Sequence, residues 1–495
     1  MSGPRGSDRA VNVTDGPLLK PLFVLSIPIV LANLLQVGYN LADTFWVGRL
    51  GSDAVSAISF SWAIVFLTIT LAAGFTVAGT VLVAQNKGAG NLDRISEVAG
   101  GTISFVVGLS VVFSILGYGL APWLLDLVGA TPGTEVFRLA VTYTRTMFLG
   151  IPFVFGFFIF QSLLQGWGDT RTPLYLMLLG VVLNVVIDPF LILGFQNNLV
   201  FEVAGQTALQ SSLYATTGFS GFGVQGAAIA TIASRGVGAV IAMGLLLSGR
   251  VGIQLDPSDF LPTRGILRKI FRIGAPASIE MSTQSLGVTV LTALVAIAGA
   301  ESVAAFGIGT RVTSLVVLPA LGLARGTETA VGQNLGAKQP GRAKRAVLAS
   351  AAVTAGVLAV VTVAVYVNAA AIIGFFITGE AATSVIATGA DYLRIVGATY
   401  VFLGVFHIVQ GAYRGSGSTR IAMIFGIVGL ILLRVPPAYA LVAWSDLGAT
   451  GVWYGIAAAN VLMVLLSGAY LLRGTWTEGI VDRERPGPTP TPGDD

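Results

Sequence analysis

Twelve long apolar stretches run through this chain, at about 21–47, 54–84, 95–120, 136–164, 172–195, 222–249, 267–297, 302–332, 345–373, 384–412, 421–444 and 450–473. A helix crossing the hydrocarbon core of a bilayer needs roughly 20 such residues. A backbone in lipid must satisfy its own hydrogen bonds, which makes a helix of each stretch. Composition excludes the water-soluble alternative: 11% of the 495 residues are charged and 54% are hydrophobic, against about a quarter charged in soluble domains. The 63 glycines suit helices packed in lipid, where small residues allow close backbone approach. The expected fold class is an all-α polytopic membrane protein with twelve transmembrane helices.

The loops test that count. One set carries Lys20, Lys87, Arg94, Arg171, Arg250 to Arg272, Lys338 to Arg345, Arg414, Arg420 and Arg473, with Arg5 and Arg9 before them and Arg483 and Arg485 after. The alternate set carries Asp53, Asp126, Glu135, Glu202, Glu301, Glu380 and Asp446, with Arg49 and Arg138 as its cations. This asymmetry follows the positive-inside rule and predicts both termini in the cytoplasm of a multi-pass cell-membrane protein. The net charge of +4 is thus a topology signal, and no nucleic-acid partner is expected. Residues 1–18 read as a polar tail without a signal-peptide core, and 475–495, ending RERPGPTPTPGDD, as a disordered tail.

Sliding the sequence on itself by 248 residues aligns Phe23 with Phe271, Pro28 with Pro276, Gln36 with Gln284 and Gly51 with Gly299. The block Gln85-Asn86-Lys87-Gly88-Ala89 falls on Gln333-Asn334-Leu335-Gly336-Ala337. At 249, Gln161 to Arg171 falls on Gln410 to Arg420. The chain therefore divides into two six-helix halves, 19–250 and 266–474, joined by a cytoplasmic linker at 251–265. An even number of spans per half makes the repeats parallel, an arrangement in which transporters place the substrate route between the halves. The stretch at about 197–221 has no counterpart and reads as an enlarged external loop.

Ionisable groups inside spans cost about 2.5–3.5 kcal/mol each at mid-helix, so each calls for a reason. Asn33, Gln36, Asn40 and Asp43 recur at steps of three and four, a polar stripe on one face of the first helix, with Tyr39 adjoining. Asn184 and Asp188 are i,i+4 neighbours in the fifth span, and Pro189 withholds one helical N–H. A carboxylate and an amide on one helix suit a proton or a hard cation. The repeat counterparts are apolar: Asp43 falls on Leu291, and Asp188 beside Pro436-Pro437.

Glu280 is a weaker candidate without a local partner. Arg325 and Glu328, three apart, are expected to neutralise each other. Arg145, Arg235, Arg311, Arg394 and Arg434 are expected near interfaces, and His407 in packing. With no cysteine and one histidine, thiol chemistry and His-based metal or triad sites are excluded, and no phosphate loop is present. The chain is not expected to be an enzyme or to carry a cofactor.

The twelve spans in two parallel halves, the repeated QNxGA block and the GDTRTP and GSTR turns resemble the multidrug and toxic compound extrusion (MATE) family, from about residue 17 to 474. The segments Tyr39 to Gly48 and Asn184 to Pro189 resemble its archaeal and DinF-like branch. The resemblance implies a V-shaped two-lobe bundle. It also implies a cation site in the first lobe, for a proton or sodium, formed by Asp43, Asn184, Asp188 and Thr231, with Gln36, Tyr39 and Asn40 nearby helping to bind drug. The implied partners are small organic substrates, cationic or amphipathic, and the lipid bilayer; the chain is expected to be a monomer. The sequence departs from the family pattern in lacking acids in the tenth helix, and Glu280 lies four residues early relative to its Gly-x-Pro. This departure speaks against coupling through the second half. The alternative is a lipid-linked oligosaccharide flippase of similar architecture, which would need Arg311, Arg325 and Arg434 to converge on a basic cleft with Asp43 salt-bridged elsewhere.

Overall fold

Each apolar stretch forms one helix: α1 Leu19–Gly48, α2 Ser52–Ala89, α3 Leu92–Leu127, α4 Glu135–Trp167, α5 Arg171–Leu193 and α6 Val224–Leu247. The second half follows with α7 Arg264–Ala296, α8 Ala300–Gly336, α9 Pro340–Val367, α10 Ala382–Gly415, α11 Thr419–Ala443 and α12 Ala449–Leu472. The structure is a computed structural model that describes residues 10–196, 198–379 and 382–480. Arg5, Arg9, Glu380, Arg483, Arg485 and the final stretch to Asp495 lie outside the described residues. The molecule is a twelve-helix bundle long and apolar enough to span a membrane twelve times.

Several helices outrun their hydrophobic stretches. α2 continues through Gln85-Asn86-Lys87-Gly88-Ala89 because its polar groups find partners inside the protein rather than in water. Gln85 and Asn86 are both buried. α5 starts where it does because Asp169 caps it: Oδ1 accepts from the amides of Arg171 and Thr172 at 3.0 Å each, and Oδ2 from the Thr172 hydroxyl at 2.6 Å. α11 widens into a π-helical stretch at Val428–Arg434, directly before Pro436 and Pro437. Two missing N–H donors leave carbonyls one turn back unpaired, and a wider turn is a known accommodation.

From Asn198 on, the segment read as an external loop is ordered. It forms short helices at Leu199–Val203 and Thr207–Thr217. Buried Asn198 bonds the carbonyls of Pro189 and Gly194 at 2.9 and 2.8 Å, and Phe201 packs against Phe190 and Phe195 at ring distances of 5.9 and 6.1 Å.

The two halves are not separate in packing. The start of α7, with Ile266, Ile270, Ile273 and Ala277, lies in the same core as α2, α3 and α4. Reciprocally, Leu22 and Leu25 of α1 lie in the core of α8, α9 and α10. The linker is held as well: Val251, Ile253 and Leu255 are buried in the first half's core, and Ser96 and Ser104 of α3 bond the carbonyls of Gln254 and Phe260 at 2.6 and 2.8 Å.

At the end of the bundle where the described tail residues Val11 and Ile480 pack, the repeated QNxGA blocks clasp each other. Gln85 donates to the Gly415 carbonyl at 3.1 Å, and its counterpart Gln333 donates to the Gly166 carbonyl at 2.9 Å. Gly88 and Gly336 permit this contact: a Cβ at Gly88 would stand 1.9 Å from the Gln333 carbonyl oxygen, and one at Gly336 2.0 Å from that of Gln85.

Both tails reinforce the seal. Val11 donates to the Gly168 carbonyl at 3.1 Å, while Val13 is buried and its carbonyl accepts from Arg342 at 3.0 Å. Ile480 donates to Gln85 at 2.8 Å, and Trp476 is buried. The described parts of 1–18 and 475–495 therefore pack rather than trail, because apolar Val13 and Trp476 find a core. Trp476→Ala should cost about 3–5 kcal/mol, read as a lower thermal midpoint of the purified protein in detergent; an unchanged midpoint would mean that this tail adds nothing to stability.

Candidate functional site

The polar stripe of α1 is placed by helix periodicity, and it faces a cavity of about 640 Å³. Asn33, Gln36, Tyr39, Asn40 and Asp43 all line it, joined by Thr231 of α6. Its lining from α2, Ile58 to Ile69, lies well before Gln85 on that helix, so this part of the cavity lies beyond the QNxGA clasp. Trp62, Phe66, Tyr143 and Phe158 form aromatic walls. This volume matches the usual range for small-molecule sites, about 300–1,000 Å³.

Asn184 and Asp188 lie behind the cavity, both fully buried. Their i,i+4 spacing makes the expected contact: Asn184 Nδ2 donates to Asp188 Oδ1 at 2.9 Å. Tyr39 and Thr231 share a hydroxyl–hydroxyl bond at 2.5 Å. Asp43 lies one turn beyond Tyr39 on α1, and α1 packs against α5, so the two acids stand on neighbouring helices.

Three oxygens there have no hydrogen-bond partner among the described residues: Asp43 Oδ1, Asp188 Oδ2 and Asn184 Oδ1. Leaving a buried charged acceptor unsatisfied costs more than the 1–3 kcal/mol of a neutral one. Two carboxylates and an amide carbonyl are oxygen donors of the kind that take a proton or a hard monovalent cation. Among the described residues no three His, Cys, Asp or Glu side chains gather as a metal cluster.

Arg235 corrects the expectation that the span arginines sit near interfaces. It is 5% exposed and lines the cavity. It donates to Gln36 Oε1 and, at 2.9 Å, to Met177 Sδ, and lies over the rings of Tyr39 and Phe157 at 5.3 and 5.0 Å. Its position i+4 from Thr231 on α6 was the available signal. Arg311 of α8 also lines the cavity.

The second half holds its charges differently. Glu280, without a partner in its own segment, is fully buried and forked by Arg414, which donates from Nε at 3.1 Å and Nη2 at 2.5 Å. Gln410 and Gln284 add bonds at 3.1 and 3.3 Å. Arg414 is thus an interior charge and not a loop charge, because its carboxylate partner is inside. Lys87 likewise turns inward to the Trp167 carbonyl, 4.5 Å over that ring.

Arg325 pairs with Glu328 at 3.3 Å, and Arg434 bonds Asn460 at 2.8 Å. Of the three arginines that would converge in a flippase cleft, only Arg311 reaches the cavity, and Asp43 has no salt bridge among the described residues. Glu280→Ala should destabilise the protein by about 3–5 kcal/mol because it strands a buried guanidinium, and Glu280→Met with Arg414→Met should recover most of that. Thermal unfolding in detergent distinguishes the two; equal losses would mean that the pair is not a charge-compensated unit.

The MatE family model matches residues 28–190 and 276–440. The chain is 30% identical over 448 residues to a protein of Bacillus subtilis (strain 168) named probable multidrug resistance protein YoeA, across 90% of this chain and 91% of that one. It is 28% identical over 473 residues to the probable multidrug resistance protein NorM of Thermotoga maritima, across 94% and 95%. Among solved structures, an outward-facing multidrug resistance MATE family transporter of the MOP superfamily superposes with a TM-score of 0.83 at 26% identity, over 95% of this chain and 99% of that one.

Proposed function

The chain belongs to the MatE family of multidrug efflux transporters, and from that premise we propose that it exports organic cationic or amphipathic solutes by antiport with protons or sodium ions. The ion binds in the first half at Asp43, Asn184, Asp188 and Thr231. The solute occupies the adjoining cavity against Gln36, Tyr39, Asn40 and Asn33. The protein works as a monomer in the cell membrane with both termini cytoplasmic.

The observation that carries this reading is the set of unpartnered oxygens on Asp43, Asp188 and Asn184 beside a cavity of solute size. A carboxylate held without a partner in a span is costly, and an exchangeable cation removes that cost. Asp43 belongs to both places: it lines the cavity and stands on the helix packed against that of Asp188. Ion and cationic group therefore compete for one charge, which is the physical requirement of exchange.

With the termini in the cytoplasm, the clasp of Gln85 and Gln333 closes the cytoplasmic side while the cavity faces outward. Rocking the halves would break that clasp and close the opposite end. A potential of about 100 mV supplies roughly 2.3 kcal/mol per charge, and a tenfold ion gradient about 1.4 kcal/mol. Together, about 3.7 kcal/mol per monovalent ion sustains a gradient of roughly 500-fold for a solute without net charge.

Purified protein in vesicles, loaded with a fluorescent organic cation and given a proton gradient or a sodium gradient separately, tests the reading. Exchange driven by one gradient is the expected result. Dye movement indifferent to both would overturn antiport. The flippase alternative is not favoured, because the cavity contains an unpaired acid and the arginines do not converge.

A further inference from the structure

Where the linker enters α7, Arg264, Arg268 and Arg272 recur every four residues, and all three are exposed. That spacing puts them on one helical face, one turn apart. The eight residues between the outer two span about 12 Å of helix. The face is fixed from behind, because Ile266, Ile270 and Ile273 of the same turns are buried in the first half's core. No salt bridge reaches any of the three arginines among the described residues. The neighbouring acids have other partners: Glu97 accepts from the Thr263 hydroxyl at 3.4 Å, and Asp256 with Asp259 forms a capping box. At an offset of 248 the counterparts are Gly16, Lys20 and Val24, so the stripe is no part of the duplicated scaffold.

The rest of that face is apolar. Arg272 already lies inside the apolar stretch that starts at about 267, and the face runs on through Phe271, Ile279 and Leu286, all exposed. Leu261 is exposed at the other end of the stripe. Guanidinium groups held side by side attract anions, and their planar fork takes a phosphate in two-point contact. Exposed apolar side chains along the same face match hydrocarbon. A phosphodiester that carries acyl chains satisfies both demands, whereas a nucleotide or a phosphopeptide satisfies only the first.

We propose that this face of α7 binds an anionic phospholipid, with the headgroup phosphate at Arg264, Arg268 and Arg272 and the acyl chains along Phe271, Ile279 and Leu286. The site lies where the halves join, since α7 starts in the first half's core and continues as the first span of the second. A lipid held there ties that joint to the surface of the bilayer. Topology alone asks for cations on one side of the membrane, in any register. A lipid site needs these three together. The inference stands whichever ion or solute the cavity takes.

Native mass spectrometry of the purified full chain, in detergent with equal amounts of phosphatidylglycerol and phosphatidylcholine of matched acyl chains, reads which lipid is retained. Phosphatidylglycerol should be retained in preference by about tenfold or more. Arg268→Gln should lower that preference about fivefold, and Arg264→Gln, Arg268→Gln and Arg272→Gln together should bring it to parity. Lys344→Gln with Arg345→Gln, two exposed cations at the start of α9, should leave it unchanged. Thermal midpoints in detergent identify the folded variants, and if the triple variant is not among them, Arg268→Gln and Arg272→Gln singly carry the test. Equal retention of the two lipids by the unaltered protein would overturn the inference. So would a preference unmoved by the arginine changes, or one lost equally when Lys344 and Arg345 are changed.

Discussion

Asp43→Asn and Asp188→Asn should each bring ion-driven efflux down to the rate of vesicles without a gradient. Each change keeps the shape of the side chain and removes the negative charge. A hydrogen-bonding or ligating group facing a charge is worth about 1.5–3 kcal/mol, which is roughly 10- to 150-fold in ion affinity. The two variants should differ in a second readout. Asp43 lines the cavity, so Asp43→Asn should also weaken binding of a cationic dye. Asp188 is fully buried behind it and bonded to Asn184, so its variant should leave dye binding close to wild type while abolishing coupling. Thermal midpoints near wild type would show that both proteins remain folded. Wild-type transport by both variants would remove the ion site.

The second large effect is expected at the clasp between the halves. Gln85→Leu combined with Gln333→Leu removes both reciprocal bonds and strands the carbonyls of Gly415 and Gly166. Each lost bond is worth about 0.5–1.5 kcal/mol and each stranded carbonyl about 1–3 kcal/mol in the closed arrangement alone. The closed population should therefore fall by at least about tenfold relative to the open one. The chain has no cysteine, so a single one placed at Thr329 reports the seal without background. Thr329 is buried there and donates to the Gln165 carbonyl at 3.0 Å. A water-soluble maleimide should label Thr329→Cys about tenfold faster in the double variant. Equal labelling in a folded protein would show that the glutamines do not hold the seal.

Much of the architecture was legible because its causes are local or periodic. Twelve spans follow from hydropathy, since a backbone in lipid has few ways to satisfy its hydrogen bonds. The repeat is visible in Gln85-Asn86 and Gln333-Asn334. The shared face of Asn33, Gln36, Asn40 and Asp43 follows from the helical period alone, as does the bond from Asn184 to Asp188. Helix ends were less legible, because α2 runs on to Ala89 where carbonyls distant in sequence, those of Gly415 and Trp167, accept from Gln85 and Lys87.

Arg414 and Lys87 were misplaced for one reason. A charge near the end of an apolar stretch reads the same whether it reaches water or turns inward. Glu280 shows this directly: the guanidinium that neutralises it is Arg414, on a helix three spans later, and no periodic pattern announces that pair.

The amino-acid order alone determined the number of spans, the duplication, and which polar residues share a helix face, because each depends on contacts within a few turns or on the demands of the bilayer. Only the tertiary structure decided which charges meet. Asp43 and Asp188 stand on two helices that pack together, Arg235 and Arg311 enter the same cavity, and Gln85 and Gln333 lock opposite halves. Electrostatics and hydrogen bonds act over a few ångströms of space, and in this fold those ångströms join residues up to several hundred positions apart.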